Sequence, residues 1–387
     1  MLTGPVRVWL EPGYDGGRVG AWLLDLPGCF TWGRTRPAAI GRAPSAVARF
    51  VAWLGDHGAS IELPELDETV VVEEVPATID GDGYERNALF EADHRAVSQE
   101  ELETAIQRLE YARSDLLAIH GRLRRLDQGQ AIPDERETRA DEPDQGRPER
   151  PATEVLRHVA EAEAWLASRL DPGPRYEGPP RKGDPFAFLD ATRSWAVARI
   201  REQHGRDPAP AWVDGKGEGW TLAKVVRRLL YHGIDHLEEL DQRLALAEGR
   251  LERVNVVRNA RVDPSELAVL LRNAGLHAGR RSPQQVGRML AATRESVSAW
   301  DEDRLIGFAR AITDGVTNAY VSSVAVDARW QDRGLGRRLI EALIDGREGM
   351  KFVLTAREGT EDFYRRLGFK PDERVLVRQR RRPESIR

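Results

Sequence analysis

Cysteine is almost absent from this 387-residue sequence, and its absence excludes two common ways of stabilising a fold. Cys29 is the only cysteine, so neither an intrachain disulfide nor a zinc site built from thiolates can form. Lysine is also scarce, because only five of the 58 basic residues are lysines and the rest are arginines. Such a bias is more typical of a GC-rich genome than of a phosphate-binding site, which would require a cluster of arginines.

Long apolar runs are absent as well. No segment approaches the roughly 20 apolar residues that a membrane-spanning helix needs, and the N-terminal residues lack the charged and apolar blocks of a signal peptide. The formal net charge is −5 and the pI is about 6.0, which argues against a broad electrostatic surface for nucleic acid. We therefore expect a cytoplasmic protein that binds neither membrane nor nucleic acid.

The length and the hydrophobic pattern predict a multidomain protein of mixed class. A chain of this length exceeds one ordinary core, and 41% hydrophobic residues suffice to build several. We expect an α/β module over residues 1–80, an all-α four-helix bundle over residues 85–250, a third domain of alternating helices and strands over residues 254–378, and a basic tail over residues 379–387.

The first module combines strands with one helix. The pattern predicts strands at Val6–Leu10, Gly20–Leu26 and Val70–Val75, and a helix at Pro44–His57. The stretch from Leu26 to Arg36, together with the helix that follows it, resembles the small α/β domain of HicB-type antitoxins. Those domains bind a toxin, and no DNA-binding element is visible here. The resemblance therefore implies an interaction or scaffold module with a protein partner.

The second segment is predicted to be helical. Ser98 and Glu101 have the spacing of a capping box, in which each side chain accepts from the other residue's backbone N–H. Helices are expected at residues 98–126, 153–170, 186–203 and 220–246. The stretches at 127–151 and 207–219 are predicted to be loops.

Three of the eight histidines have a spacing that suits a metal ion. His232 and His236 are one helical turn apart, so both imidazoles lie on one face of the fourth helix, and His158 lies on the second helix. Three neutral imidazoles with an open position would form a catalytic divalent-metal site. The spacing alone is a weak signal, because surface or core histidines produce it too.

The residues around these histidines carry a second resemblance. The stretches Glu154–Trp165 and Leu229–Leu237 are similar to the second and fourth helices of the DinB-like four-helix-bundle superfamily. The resemblance implies that His158, His232 and His236 bind zinc or nickel. Several members of that superfamily are S-transferases or isomerases that use a low-molecular-weight thiol.

Helices and strands alternate in the third segment. Helices are predicted at Pro264–Ala274, Pro283–Thr293, Gly334–Ile344 and Thr360–Leu367. Strands are predicted at Val297–Asp301, Leu305–Thr313, Ala319–Val326, Lys351–Ala356 and Arg374–Val377.

A glycine-containing motif lies between the third of these strands and the helix that follows it. Gly334 and Gly336 lack a Cβ, so the backbone can turn tightly and approach a ligand. The first N–H groups of the helix then point at the ligand, and the helix dipole favours an anion. Arg333 and Arg337 add positive charge. The sequence therefore predicts a cradle for a pyrophosphate.

This motif, Gln331-Asp-Arg-Gly-Leu-Gly-Arg337, resembles a segment of the GNAT superfamily of acetyl-CoA-dependent N-acetyltransferases. Phe363-Tyr-Arg-Arg-Leu-Gly-Phe369 is similar to a second segment of that family. The resemblance implies a fold with a mixed central sheet, and transfer of an acetyl group to a small-molecule or protein amine. It also implies that Tyr364 is the general acid that protonates the departing thiolate. The residues implied to bind acetyl-CoA, through strand backbone or cradle, are Val324, Val326, Gln331, Arg333, Gly334, Leu335, Gly336 and Arg337.

The proton acceptor stays open at this point. The attacking amine must lose a proton, directly or through water. Candidates by position are Glu295, Asp301, Ser322 and Ser323, and the sequence does not choose among them. The acceptor amine is expected to bind at loops around the first two helices of this domain, whose residues do not identify it.

Two other functions are compatible with the sequence. The chain could be a metal-dependent thiol S-transferase or isomerase in which the acetyltransferase domain is secondary. It could also be a non-catalytic interaction protein in which all three folds serve assembly. Acetyl-CoA binding distinguishes the first function, bound metal with thiol conjugation the second, and the absence of both the third.

Overall fold

The computed structural model describes residues 4–59, 61–62, 65–126, 151–170, 176, 178, 180–276, 281–331, 333–357 and 359–376. In chain order they form a four-stranded sheet with one long helix, a group of four long helices, and a five-stranded sheet with its helices. Nearly all of the predicted loop at 127–151, and the whole basic tail at 379–387, lie outside the described residues. No helix of the described residues is long and apolar enough to cross a membrane.

The first sheet has the strand order β3-β2-β1-β4. Its strands are β1 (Pro5–Gly13), β2 (Arg18–Trp22), β3 (Phe30–Gly33) and β4 (Glu65–Glu74). The first three form an antiparallel meander, and β4 returns parallel to β1. The predicted strand at Gly20–Leu26 ends early, at Trp22, because Leu26 donates its N–H to the carbonyl of Leu23 in a turn. A two-stranded hairpin of β5 (Thr78–Ile79) and β6 (Glu85–Arg86) follows.

Helix α1 (Arg36–Asp56) connects β3 to β4 and begins well before the predicted start at Pro44. Thr35 caps it, since its hydroxyl accepts from the N–H of Ala38 at 3.3 Å. Pro37 stands in the first turn, where its missing N–H is not needed. Pro44 therefore lies inside the helix, although proline more often begins one.

Four helices make up the second group: α2 (Gln99–Leu126), α3 (Ala152–Ala167), α4 (Pro185–Arg206) and α5 (Leu222–Ala247). The predicted capping box of α2 is confirmed, because Ser98 N–H donates to Glu101 at 2.9 Å and Glu101 N–H donates to Ser98 at 3.2 Å. Two apolar clusters fill the space between the helices, one near the start of α2 and one near its end.

The prediction of a plain loop at 207–219 is wrong in part. A hairpin of β7 (Ala211–Val213) and β8 (Gly219–Thr221) lies there. Asp214 turns the chain between them, since one carboxylate oxygen accepts from the N–H groups of Lys216 and Glu218. The last helix consequently begins at Leu222 rather than at Trp220.

The third group is a mixed sheet in the order β13-β12-β11-β10-β9. Its strands are β9 (Asn255–Arg258), β10 (Glu295–Asp301), β11 (Arg304–Thr313), β12 (Asn318–Val326) and β13 (Lys351–Leu354). Only the β12–β13 pair is parallel. The helices are α6 (Pro264–Asn273), α7 (Pro283–Ala291), α8 (Leu335–Ile344) and α9 (Glu361–Arg366). Helices α6 and α7 pack with Phe308 and Ala325, whereas α8 packs with Ala309 and Ala311. The expected mixed sheet is confirmed.

Two edges of this sheet differ from the prediction. Strand β9 was not predicted, and it extends the sheet beyond β10. The predicted closing strand at Arg374–Val377 is wrong over residues 374–376, which are not in a strand, and Val377 lies outside the described residues. Asp372 accepts from the N–H of Arg374 at 3.1 Å, which turns the chain instead of extending it.

The three groups pack against one another through α1 and α5. Ala112 of α2 and Ile234 of α5 belong to the same buried cluster as the first sheet. The C-terminal end of α1 contacts the third group. There Arg329 pairs with Asp56 at 2.5 Å and donates to the carbonyl of Ala52 at 3.4 Å. Helix α1 therefore positions the first module on the third group.

Candidate functional site

The central strand of the C-terminal sheet has an unpaired edge. Strand β13 pairs with β12 only as far as Val321, which lies opposite Leu354, whereas β12 continues to Val326. On this side, none of the described strands pairs with β12 from Ser322 onward. The backbone of these five residues can therefore bond an extended ligand, as the family resemblance implies for the pantetheine arm of acetyl-CoA.

A β-bulge lies at the point where the two strands part. Across the β11–β12 pair Arg310 faces Ser323 and Ala311 faces Val321, so Ser322 is the extra residue. Bulges of this kind re-aim side chains next to active sites. Here the bulge brings the side chains of Ser322 and Ser323 toward the same neighbour, Arg310.

The predicted glycine cradle lies beside the end of β12. Gly334 caps α8 at φ 82°, a left-handed conformation that strains any residue with a Cβ. A Cβ on Gly336 would lie 3.5 Å from the ring of Phe363 and 3.8 Å from Val326. Leu335, between the two glycines, is fully buried and anchors the first turn of α8 in the core. The predicted anion site therefore begins where β12 ends.

Gln331 supports this turn rather than projecting from it. Its amide nitrogen donates to the carbonyl of Val326 at 3.0 Å, and its amide oxygen accepts from Arg49 of α1 at 3.4 Å. Gln331 therefore joins the end of β12 to the first module.

The two arginines predicted to face the pyrophosphate are engaged with protein carboxylates. Arg333 forms an ion pair with Asp241 of α5. Arg337 pairs with Glu341 one turn along α8 at 2.7 Å and is largely exposed. The part of the predicted cradle that faces a ligand without rearrangement is thus the backbone at the start of α8.

Tyr364 lies on α9 at the margin of the same core, together with Val324 and Val326. Its ring packs edge-on against Phe363 and Phe369, with centroids 4.9 Å and 5.9 Å away. Burial raises the pKa of Tyr364 above the usual phenol value, although the nearby Arg357 charge acts in the opposite direction. The phenol is therefore protonated at neutral pH and holds a proton that it can donate.

The four candidate proton acceptors occupy three different places. Glu295, at the start of β10, forms an ion pair with Arg347. Asp301 lies at the other end of β10, on a cavity between the three groups. Only Ser322 and Ser323 lie on the strand with the unpaired edge.

Arg310 is a residue that the sequence analysis missed. It is only 7% exposed and lies within an otherwise apolar strand, which is the one signal that could have drawn attention to it. Burial, and then the nearby Arg281 charge, lower the pKa of Arg310. A buried guanidinium in this position indicates a local positive potential next to the bulge.

The three predicted metal ligands are brought together inside the helical group. His158 on α3 and His232 on α5 have Nε2 atoms 3.2 Å apart, and the ligand atoms of all three histidines lie within 4.8 Å of one another. Two nitrogens bound tetrahedrally to one zinc ion would be roughly 3.3 Å apart, so the separation of His158 and His232 fits. His236 Nδ1 contacts Glu239 at 2.6 Å, which is the kind of carboxylate contact that orients a metal-binding imidazole.

A cavity of about 710 Å³ lies between the three groups of elements. Its walls come from α1, α2, α5 and the loop that precedes α8. Gln331 and Arg333 line it on one side, so the predicted cradle borders this space.

Comparison with known proteins identifies the third group. Residues 274–380 match the family model described as acetyltransferase (GNAT) domain. The chain is 38% identical over 115 residues to probable acetyltransferase TAP2 of Glycine max, an alignment that covers 28% of this chain and 42% of that protein. Histone acetyltransferase TAP1 of the same plant is 37% identical over 115 residues, with 28% and 45% covered. The chain thus spans less than half the length of these relatives.

A solved structure also resembles this part of the chain. It is a probable acetyltransferase from meticillin-resistant Staphylococcus aureus, 24% identical, with a TM-score of 0.30; the match covers 34% of this chain and 99% of that one. The matched residues 274–380 contain the unpaired strand edge, the glycine cradle and Tyr364. The C-terminal part of the chain is a GNAT acetyltransferase domain.

Proposed function

We propose that this chain transfers an acetyl group from acetyl-CoA to an amine. The observation that carries the proposal is the unpaired edge of β12 from Ser322 to Val326, which ends beside the left-handed Gly334. Extended backbone suits the amide groups of the pantetheine arm, and the first N–H groups of α8 suit a pyrophosphate. Acetyl-CoA supplies the reactive acetyl thioester.

The chain supplies a proton donor for one of the two proton movements of this reaction. The acceptor nitrogen bonds to the acetyl carbon as the carbon–sulfur bond breaks, and the sulfur must gain a proton. Tyr364 holds a proton on its phenol oxygen and can deliver it there. Ser322 and Ser323 accept hydrogen bonds from a guanidinium, which makes them poor proton acceptors. We infer that the amine proton leaves through water to solvent, and that solvent returns a proton to the Tyr364 phenolate.

Calorimetric titration with acetyl-CoA tests this proposal. We expect about one equivalent to bind, and binding to be lost in Gly334→Glu, which adds a negative charge to the turn proposed to hold the pyrophosphate and strains its left-handed backbone. Gly346→Glu is a matched control, because Gly346 also has a positive φ, 71°, and no atom lies within 4 Å of its added Cβ. A well-folded protein that binds no acetyl-CoA would refute the proposal.

We also propose that His158, His232 and His236 bind a divalent metal ion, zinc or nickel. The support is the 3.2 Å separation of two Nε2 atoms and the Glu239 carboxylate next to His236. If this centre also conjugates a low-molecular-weight thiol, the chain carries the S-transferase or isomerase activity of DinB-like proteins.

Metal analysis of the purified chain tests this second proposal. We expect about one equivalent of metal, lost in His232→Ala and retained in His94→Ala, which changes an exposed histidine outside the cluster. Equal metal contents in the two variants would refute the assignment. Thiol conjugation that disappears in His232→Ala would favour a catalytic centre over a structural one.

We propose that the first module is a scaffold for the acetyltransferase domain. This role is compatible with the interaction function implied by the resemblance to HicB-type domains. It is supported by the Asp56–Arg329 ion pair and by the hydrogen bond from Arg49 to Gln331. The close approach of Gly359 to Pro37 of α1 allows a direct test of this contact by substitution.

A further inference from the structure

The guanidinium of Arg310 is buried among hydroxyl groups. Its Nε donates to Ser323 at 3.4 Å, its Nη1 to Thr293 at 3.2 Å, and its Nη2 to Ser322 at 3.0 Å. No carboxylate of the described residues lies within ion-pair distance of it, although most arginines of this chain that are equally buried have one. A buried charge without a counter-charge is costly, so an external anion would stabilise it.

The guanidinium also retains hydrogen-bonding capacity. It carries five N–H groups, and the three hydroxyls take one each from Nε, Nη1 and Nη2. One N–H on each of Nη1 and Nη2 has no further acceptor within the described part of the chain. Two such groups on the two Nη atoms can form the fork that binds a carboxylate or a phosphate through two parallel hydrogen bonds.

The position of Arg310 suits the acceptor rather than the acetyl donor. Side chains alternate along a strand, so Arg310 faces the same side of the sheet as Phe308, which packs with α6 and α7. That is the side on which the acceptor amine is expected. Ser322, which contacts Arg310, lies at the bulge where β12 and β13 part. Arg281, at the start of α7, adds a second positive charge to this side.

We propose that the acceptor amine carries a compact anionic group, a carboxylate or a phosphate, that binds Arg310. The inference rests on the proposed acetyltransferase function and narrows its substrates to anionic amines, such as amino acids or phosphorylated amines. Arg310 is then a specificity-determining residue. The hydroxyls of Ser322, Ser323 and Thr293 hold its fork in place.

Matched pairs of acceptors test the inference. Each anionic amine is assayed beside a neutral analogue: L-amino acids beside their carboxamides, and phosphoethanolamine beside ethanolamine. The rate of CoA release gives kcat/KM for each member. We expect at least a tenfold preference for the anionic member of one series, because charge-assisted bidentate hydrogen bonds are worth that much. The series with the larger preference identifies the anion.

Three variants separate recognition from a structural role. Arg310→Gln should abolish the preference through a higher KM for the anionic amine, and Arg310→Lys should keep part of it, because it retains the charge but not the fork. Arg288→Gln is the control, since Arg288 is an exposed arginine on α7. A wild-type protein that acetylates both members of every pair equally would overturn the inference, and so would a preference that Arg310→Gln leaves intact.

The affinity for acetyl-CoA, measured on the same samples, distinguishes a failure of the role proposed for Arg310 from a failure of the proposed acetyltransferase function. If acetyl-CoA binds and neutral amines are acetylated as well as anionic ones, the acetyltransferase function stands and the role of Arg310 is refuted. If the folded wild-type protein binds no acetyl-CoA, both are refuted. A loss of acetyl-CoA binding in both Arg310→Gln and Arg310→Lys would mean that Arg310 is structural, which also refutes the inference.

Discussion

The packing of α1 on the acetyltransferase domain can be tested with one methyl group. Gly359, in the loop between β13 and α9, has φ 81°. A Cβ at this position would lie 2.5 Å from the carbonyl oxygen of Pro37 and 2.6 Å from Cα of Ala38. Both are backbone atoms of the first turn of α1, so neither can rotate away. Gly359→Ala must therefore shift α1 or the loop.

The size of the effect can be worked out against a matched glycine. Gly346, after α8, has φ 71° and no atom within 4 Å of an added Cβ. Alanine in a left-handed conformation costs about 1–2 kcal/mol at either position. Overpacking against backbone adds about 1–3 kcal/mol at Gly359 only. We expect Gly359→Ala to lower the free energy of unfolding by about 1–3 kcal/mol more than Gly346→Ala does.

Urea unfolding followed by tryptophan fluorescence measures this difference. Each transition should be fitted separately, because a chain with several cores need not unfold in one step. Amide hydrogen exchange should then place the lost protection in residues 36–56 for Gly359→Ala and outside them for Gly346→Ala. Equal losses of stability, with unchanged exchange in α1, would show that α1 does not pack on this loop.

Three further changes test the chemistry and the ion pairs. Tyr364→Phe should lower kcat about 100-fold without changing acetyl-CoA affinity in calorimetry. A phenol donates only while it is protonated, and burial raises the pKa of Tyr364, so wild-type kcat should fall only above about pH 10. Lys224→Met leaves the buried Glu218 carboxylate without its counter-charge, although Tyr84 and Asn87 still donate to it, and should lower the free energy of unfolding by about 3–5 kcal/mol. Lys224→Met combined with Glu218→Met should restore much of that loss, and a fully additive double variant would contradict this. Asp241→Asn frees Arg333 and should tighten acetyl-CoA binding up to about fivefold, and unchanged calorimetry would contradict this.

Local signals in the sequence were sufficient to predict two features, the glycine turn that we propose holds the cofactor and the capping box of α2. Gly334 was predicted to permit a tight turn, and its left-handed φ confirms the conformational reason. The capping box at Ser98 and Glu101 was predicted from spacing alone and forms as expected. Both features depend on residues a few positions apart, so the sequence pattern itself contains the groups that form them.

Features that depend on distant partners could not be predicted in the same way. Strand β9 consists of four residues, and both its pairing with β10 and the packing of Val256 involve residues about forty or more positions later in the sequence. Arg310 looks like a solvent-exposed interruption of an apolar strand until the bulge brings Ser322 beside it. The spacing of His232 and His236 is visible in the sequence, whereas their approach to His158 results from the packing of α3 on α5.

The loop before α8 links the proposed cofactor site to the other two groups of elements. Gln331 bonds Arg49 of α1, and Arg333 pairs with Asp241 of α5. The segment after α5 also approaches this loop, since a Cβ on Gly334 would lie 3.4 Å from the side chain of Leu251. A ligand that engages Arg333 must weaken its contact with α5, and by linkage any change that moves α5 alters the affinity of the loop for that ligand. Helix α5 also carries His232 and His236, so the metal ion and the acetyl-CoA that we propose would both act on this helix. Their binding free energies should therefore be coupled, and the coupling should be lost when Asp241 is replaced.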